Sequence, residues 1–175
     1  MSERPDQARW SISCLEHDHH DCSGFDCGKE PLNEYLRKYA AINQRLGISQ
    51  AFVATSPGSA VVEGYYCISA GAVEFKHLPA KLAKGLPRYP IPVAHMGRLA
   101  VDERSQGCRL GELLLFDAVE RILRAADFIG VHAIEVKAKD EEAKGFYLKY
   151  GFRELMDDKL HLYVSIRMLR KLGLP

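Results

Sequence analysis

Apolar and polar positions alternate over "WSISCLEH" (10–17), as they do in a half-buried strand. The pattern then changes to helical spacing in "PLNEYLRKYAAINQRLG" (31–47), which puts Leu32, Leu36, Tyr39, Ala40 and Leu46 on one face. Pro31 suits the first turn of such a helix and Gly47 its C-terminal cap. "QAFVAT" and "VVEGYYCISAGAVEF" read as two strands parted by the turn signal "SPGS". Four prolines in "KHLPAKLAKGLPRYPIPVAH" forbid a long helix and a central strand over most of that stretch, so it reads as a surface loop with at most one short helix. "VAHMGRLAVD" is a strand. In "GELLLFDAVERILRAAD" one polar stripe (Asp117, Glu120, Arg121, Arg124, Asp127) leaves the other faces apolar, which predicts a helix lying largely buried on a sheet. "HAIEVKA" follows as a strand, then "DEEAKGFYLKYG" as a short helix between an Asp140 cap and Gly151. "FREL" and "LHLYVSIRML" read as the last two strands.

This order of elements implies an α/β domain with a mixed sheet. A chain of 175 residues with 47% hydrophobic positions can bury a sizeable core, and one domain over 1–175 is expected. No apolar run approaches the roughly 18 residues of a membrane span, and "MSERPDQARW" lacks the apolar core of a signal peptide. A cytoplasmic protein with no membrane association is the expectation. The five cysteines are an odd number with no CxxC pair, so reduced thiols are expected. His17, His19, His20, Cys22 and Cys27 crowd together, but their spacing matches no common zinc finger and a solvated loop is the simpler reading; no metal is expected.

The net charge of +1 is unevenly spread. Residues 1–34 hold eight acids and three bases, a net of −5, which leaves +6 on the rest. Lys76, Lys81, Lys84 and Arg88 lie close together, and Arg167, Arg170 and Lys171 near the end. They read either as a phosphate-binding face or as ordinary solvated cations.

The most informative stretch is "GRLAVDERSQGCRLGELLL" (97–115). A strand ending at Val101, a short loop and a helix starting near Leu110 gather unpaired N–H groups and a positive helix end, which makes an anion site. A P-loop needs Lys and Ser or Thr after its last glycine, and neither Gly107 nor Gly111 has them. A dinucleotide turn needs GxGxxG after the first strand, and this loop follows about the fourth. The pyrophosphate of coenzyme A is the remaining candidate.

Here the residues resemble the GNAT N-acetyltransferase superfamily, whose members carry Q/R-x-x-G-x-G/A at this place. Gln106, Gly107, Cys108, Arg109, Leu110 and Gly111 fit that pattern except that Arg109 stands at the middle glycine. An arginine there either forces an unfavourable φ and crowds the ligand, or turns its Cβ outward and offers a guanidinium to phosphate; the second is preferred. The resemblance implies a GNAT-like mixed, mostly antiparallel sheet flanked by helices and splayed between strands 4 and 5. Acetyl-CoA, the co-substrate, is then expected along Leu99, Ala100 and Val101, with its phosphates at Arg104 and the 106–111 loop. Tyr147 in "GFYLKYGF" is implied as the acid that protonates the leaving thiolate, although Phe146, Tyr147, Tyr150 and Phe152 also read as a packing cluster. No carboxylate stands out as a general base, which favours an α-amine acceptor over a lysine.

Stretches across residues 25–152, among them "LPRYPIPVAHMGRLAVD" and "AKGFYLKYGF", are similar to the TacT-type acetyltransferase toxins of type II toxin–antitoxin pairs. That resemblance implies acetylation of the α-amine of the amino acid on charged tRNA, a block of translation, a neutralising ribbon-helix-helix antitoxin, and operator DNA contacted only through that antitoxin. Such a substrate requires a basic surface, for which Arg37, Lys38, Lys76, Lys81, Lys84 and Arg88 are the candidates. Two other readings stay open: a GNAT enzyme acting on a small amine or a protein N-terminus, and a non-catalytic GNAT-fold binding protein. A homodimer is open as well.

Overall fold

A computed structural model describes residues 9–173, so most of the first ten residues read above lie outside the described part. Seven strands form one sheet in the order β1-β2-β3-β4-β5-β7-β6. They are β1 (Ser11–Cys14), β2 (Gln50–Thr55), β3 (Val62–Val73), β4 (Ile91–Val101), β5 (Ala133–Lys137), β6 (Arg153–Glu154) and β7 (His161–Ser165). The pairs β1–β2, β2–β3, β5–β7 and β6–β7 are antiparallel, while β4 and β5 run parallel. The helices are α1 (Glu30–Glu34), α2 (Ala40–Arg45), α3 (Ala80–Ala83), α4 (Leu110–Ala125), α5 (Glu141–Lys149) and α6 (Ile166–Lys171). None of the described helices is long and apolar enough to cross a membrane.

The chain falls into two compact units, one of residues up to 69 with 97–118, the other of 70–96 with 119 onward. In the first, Leu15, Phe25, Tyr35, Leu36, Val53 and Tyr65 make the core. A Cβ at Gly64 would meet Leu114 Cδ1 at 2.9 Å, Leu110 Cδ2 at 3.1 Å and the Ala100 carbonyl at 3.3 Å. Only a glycine lets β3 pass this close to the start of α4 and the end of β4. In the second unit, Leu78, Leu82 and Leu86 of the proline-rich stretch pack with Val73, Ile91, Val93, Ala133 and Tyr163.

Two elements differ from the sequence reading. The helix expected over 31–47 is interrupted by a π-helical turn at Tyr35–Tyr39, where the Ala40 N–H donates to the Tyr35 carbonyl five residues back. One extra residue in the turn rotates the face that follows. Tyr35, Leu36 and Ala40 are therefore buried, whereas Tyr39 and Leu46, expected inside, are 49% and 64% exposed. The second difference is "LHLYVSIRML", whose strand stops at Ser165. The Ser165 hydroxyl accepts the Met168 N–H and caps α6, on which Ile166 and Leu169 are buried at helical spacing.

Candidate active site

In the first unit, β4 ends at Val101 and α4 starts at Leu110. Asp102, 1% exposed, anchors the loop between them. Its carboxylate accepts the N–H groups of Asp26 and Arg104, at 3.1 and 3.0 Å, and is forked by Arg104 Nε and Nη2 at 2.7 and 2.9 Å. The Arg104 fork holds the Asp102 carboxyl below the usual aspartate range. Ser105 donates to Glu63 at 2.7 Å, and Gln106 Nε2 donates to the carbonyls of Val101 and Cys27. These side chains fix the loop from beneath. Gly107 and Arg109 then take left-handed conformations, with φ of 77° and 67°. Such alternation turns successive N–H groups toward a common point. Leu113 donates to the Arg109 carbonyl, so the N–H groups of Leu110 and Gly111 belong to the helix end that lacks intrahelical acceptors.

Of the two alternatives posed for Arg109, the structure shows the unfavourable φ of the first, and it turns the guanidinium to a carboxylate of α4. Arg109 adopts the strained φ, the only positive one among the described non-glycine residues. Its guanidinium points to Glu112, with Nε and Nη2 donating to the two carboxylate oxygens at 3.0 and 2.9 Å. Glu112 is 8% exposed. Arg104 and Arg109 are thus both engaged by carboxylates, and the donors the loop presents are chiefly its backbone amides. Leu99, Ala100 and Val101 lie on the part of β4 past its parallel ladder with β5, which joins Val93–Met96 to Ala133–Val136. Cys108 is half-buried with a free thiol.

In the second unit, Asp140 accepts the Ala143 N–H and starts α5, and Gly151 closes it with a φ of 89°. The Tyr147 ring is 7% exposed and sits 5.3 Å from both Phe146 and Phe152, centroid to centroid. Burial pushes its phenol above the ordinary tyrosine range, so it stays protonated at neutral pH. Among the described residues its hydroxyl has no hydrogen-bond partner, and it is not sealed from solvent. The packing cluster and a hydroxyl that bonds no described residue belong to the same side chain.

The expected basic residues divide between the units. In the first, Arg37 pairs with Glu30 and donates to the Phe25 carbonyl, and Lys38 pairs with Glu34. In the second, Lys76 pairs with Glu74. Lys81, Lys84 and Arg88 are exposed, and no ion pair joins them among the described residues. In the crowded N-terminal loop, His20 Nδ1 accepts the Glu16 N–H and Cys27 Sγ approaches the Lys29 carbonyl; no group of His, Cys, Asp and Glu suited to a metal ion occurs among the described residues.

Sequence reasoning missed one polar cluster, also in the second unit. His95 on β4 faces Glu135 on β5, and Glu135 also meets His161 on β7. Each histidine lies in a strand read only for its apolar neighbours. A charged Glu135 within the apolar run "AIEV" was the available signal.

A loop opening a helix after the fourth strand of a mixed, mostly antiparallel sheet is the framework of an N-acetyltransferase fold. Residues 47–154 match the family described as acetyltransferase (GNAT) domain, and the chain belongs to that family. It is 39% identical over 152 residues to a tRNA-acetylating toxin of Mycobacterium tuberculosis, covering 87% of this chain and 90% of that one. Among solved structures it is similar to AtaT complexed with acetyl-methionyl-tRNAfMet, with 29% identity, a TM-score of 0.88, and 94% and 99% of the two chains covered. A Tyr-to-Phe mutant of AtaT bound to the C-terminus of the antitoxin AtaR and acetyl-CoA shares 27% identity at a TM-score of 0.81, covering 94% and 98%. The KacTA–DNA complex shares 28% at 0.78, with the same coverage.

Proposed function

We propose that this chain is an acetyl-CoA-dependent toxin that acetylates the α-amine of the amino acid on charged tRNA and so blocks translation in the cytoplasm. A ribbon-helix-helix antitoxin neutralises it, and operator DNA is reached through that antitoxin. Residues 1–175 act as one acetyltransferase domain. The pyrophosphate lies over the loop Gln106 to Gly111, the pantetheine arm along Leu99 to Val101, and Tyr147 protonates the departing thiolate. Lys81, Lys84 and Arg88, with Arg37, Lys38 and Lys76, meet the tRNA backbone.

The observation that carries this reading is the loop: two left-handed residues, Gly107 and Arg109, lead into a 16-residue helix whose positive end favours an anion. The likeness to a tRNA-acetylating toxin over 87% of the chain supports the acceptor. The test is incubation of the protein with labelled acetyl-CoA and total charged tRNA. Label on the aminoacyl group, together with growth arrest on expression, is expected. Label on free amines or protein N-termini alone overturns the tRNA reading.

Arg109 provides a second test. Arg109→Gly removes the left-handed strain, about 1–2 kcal/mol for a non-glycine residue, so the melting temperature is expected to change little despite the loss of the Glu112 fork. It also removes a cation beside the phosphate and leaves the Glu112 carboxylate without that fork. Acetyl-CoA binding is therefore expected to weaken about tenfold, because the Glu112 carboxylate then stands uncompensated near the anion. Calorimetric titration checks this, and tighter binding by the glycine variant makes Arg109 a hindrance to the cofactor.

A further inference from the structure

In the sequence no carboxylate stands out as a base for the acceptor amine. The fold builds a candidate from four polar side chains of the second unit. His95 Nδ1 hydrogen-bonds one carboxylate oxygen of Glu135, and the other oxygen meets His161 Nε2. His161 Nδ1 lies 2.8 Å from Asp157, and His77 Nδ1 stands 3.9 Å from the same carboxylate. Burial works to raise Glu135, but the hydrogen bonds from His95 and His161 outweigh it and hold the carboxyl below the usual glutamate range. Asp157 is held low in the same way by His161. A carboxylate only accepts, so the bond to Glu135 requires the proton of His95 on Nδ1. The neutral ring then has its lone pair on Nε2, which has no partner among the described residues. An imidazole oriented by a nearly buried carboxylate with its far nitrogen open is the arrangement a general base requires.

Position along the strand gives this base its place. His95 pairs with Glu135 one rung before the parallel ladder stops at Met96 and Val136. The pantetheine arm is assigned above to the stretch that begins where the ladder ends.

We propose that His95 is the general base of acetyl transfer, accepting a proton from the acceptor's α-ammonium at Nε2, with Glu135 as a positioning residue held in turn by His161 and Asp157. The inference rests on the acetyltransferase reading above. One proton passes from the ammonium to His95. The freed nitrogen lone pair forms the C–N bond to the thioester carbonyl carbon as the C–S bond breaks. The thiolate takes the Tyr147 phenol proton, the second nitrogen proton restores that phenol, and His95 returns its own to water. Glu135 faces His95, with His161, Asp157 and His77 beyond it, and from β3 the uncharged Gly71 packs against the His95 Cβ.

The test uses the full chain, with charged tRNA and an amino-acid methyl ester as alternative acceptors, from about pH 6 to about pH 9. His95→Gln is expected to lower turnover about 10²-fold at the acidic end. The deficit should narrow to a few-fold at the alkaline end, where an α-amine of ordinary pKa near 7.7–8.0 loses its proton unaided. Acetyl-CoA affinity should stay unchanged. A deficit independent of pH, or no deficit, overturns the proposal. If His95→Gln fails to fold, the paired His95→Leu, Glu135→Leu variant replaces the couple with apolar side chains and is read by the same pH comparison. Transfer to the ester but not to tRNA overturns the tRNA reading while leaving the His95 comparison intact.

Discussion

Tyr147→Phe is expected to cost about 10²- to 10⁴-fold in turnover while leaving folding and acetyl-CoA affinity near normal. The substitution removes one oxygen and retains the ring that packs 5.3 Å from Phe146 and from Phe152. A tyrosine serving only the aromatic cluster loses little by it. A tyrosine serving as acid loses the proton that the thiolate needs. Burial favours the second role chemically, because a phenol raised above its ordinary range is protonated at working pH. The measurement is acetylation of charged tRNA alongside growth of cells expressing the variant, and the loss of turnover should restore growth. Near-normal acetylation removes Tyr147 from the mechanism. Full toxicity without acetylation removes the enzymatic toxin reading.

Gly111→Glu is expected to abolish acetyl-CoA binding in calorimetric titration. Gly111 is the second residue of α4, and a carboxylate in a first helical turn is tolerated by the helix itself, or mildly favoured by its dipole. The melting temperature is therefore expected to hold. The same carboxylate would stand among the amides assigned to the pyrophosphate, where two like charges compete for one set of donors. Unchanged affinity in a folded Gly111→Glu protein refutes the loop as the cofactor site. A collapse of the melting temperature would instead mark the position as structural.

Much of this was legible without coordinates, because it depends on short-range rules. Asp140 as a cap, Gly151 as a closing residue and the switch from strand to helix near Leu110 follow from local side-chain chemistry and spacing, and each element stands where its pattern puts it. The polar stripe of α4 announced a helix lying on a sheet. The π-helical turn at Tyr35–Tyr39 was not legible, because one inserted residue leaves the composition of an amphipathic helix intact and only rotates its face. "LHLYVSIRML" failed for a related reason: a short apolar run fits strand and helix alike, and the Ser165 cap decides between them.

For the candidate site the division is sharper. The sequence by itself placed the 106–111 loop between strand and helix, put Tyr147 on a short helix and carried the family resemblance, since all three reside in contiguous motifs. Only the tertiary structure decided what the charged side chains face. Arg104 turns back to Asp102 and Arg109 forward to Glu112, so neither guanidinium faces outward from the loop unengaged. His95, Glu135 and His161 stand 40 and 26 residues apart in the chain, and strand pairing brings them into one hydrogen-bonded row. Sheet register, a long-range property of the folded chain, is what turns three separate polar residues in apolar strands into a base with its support.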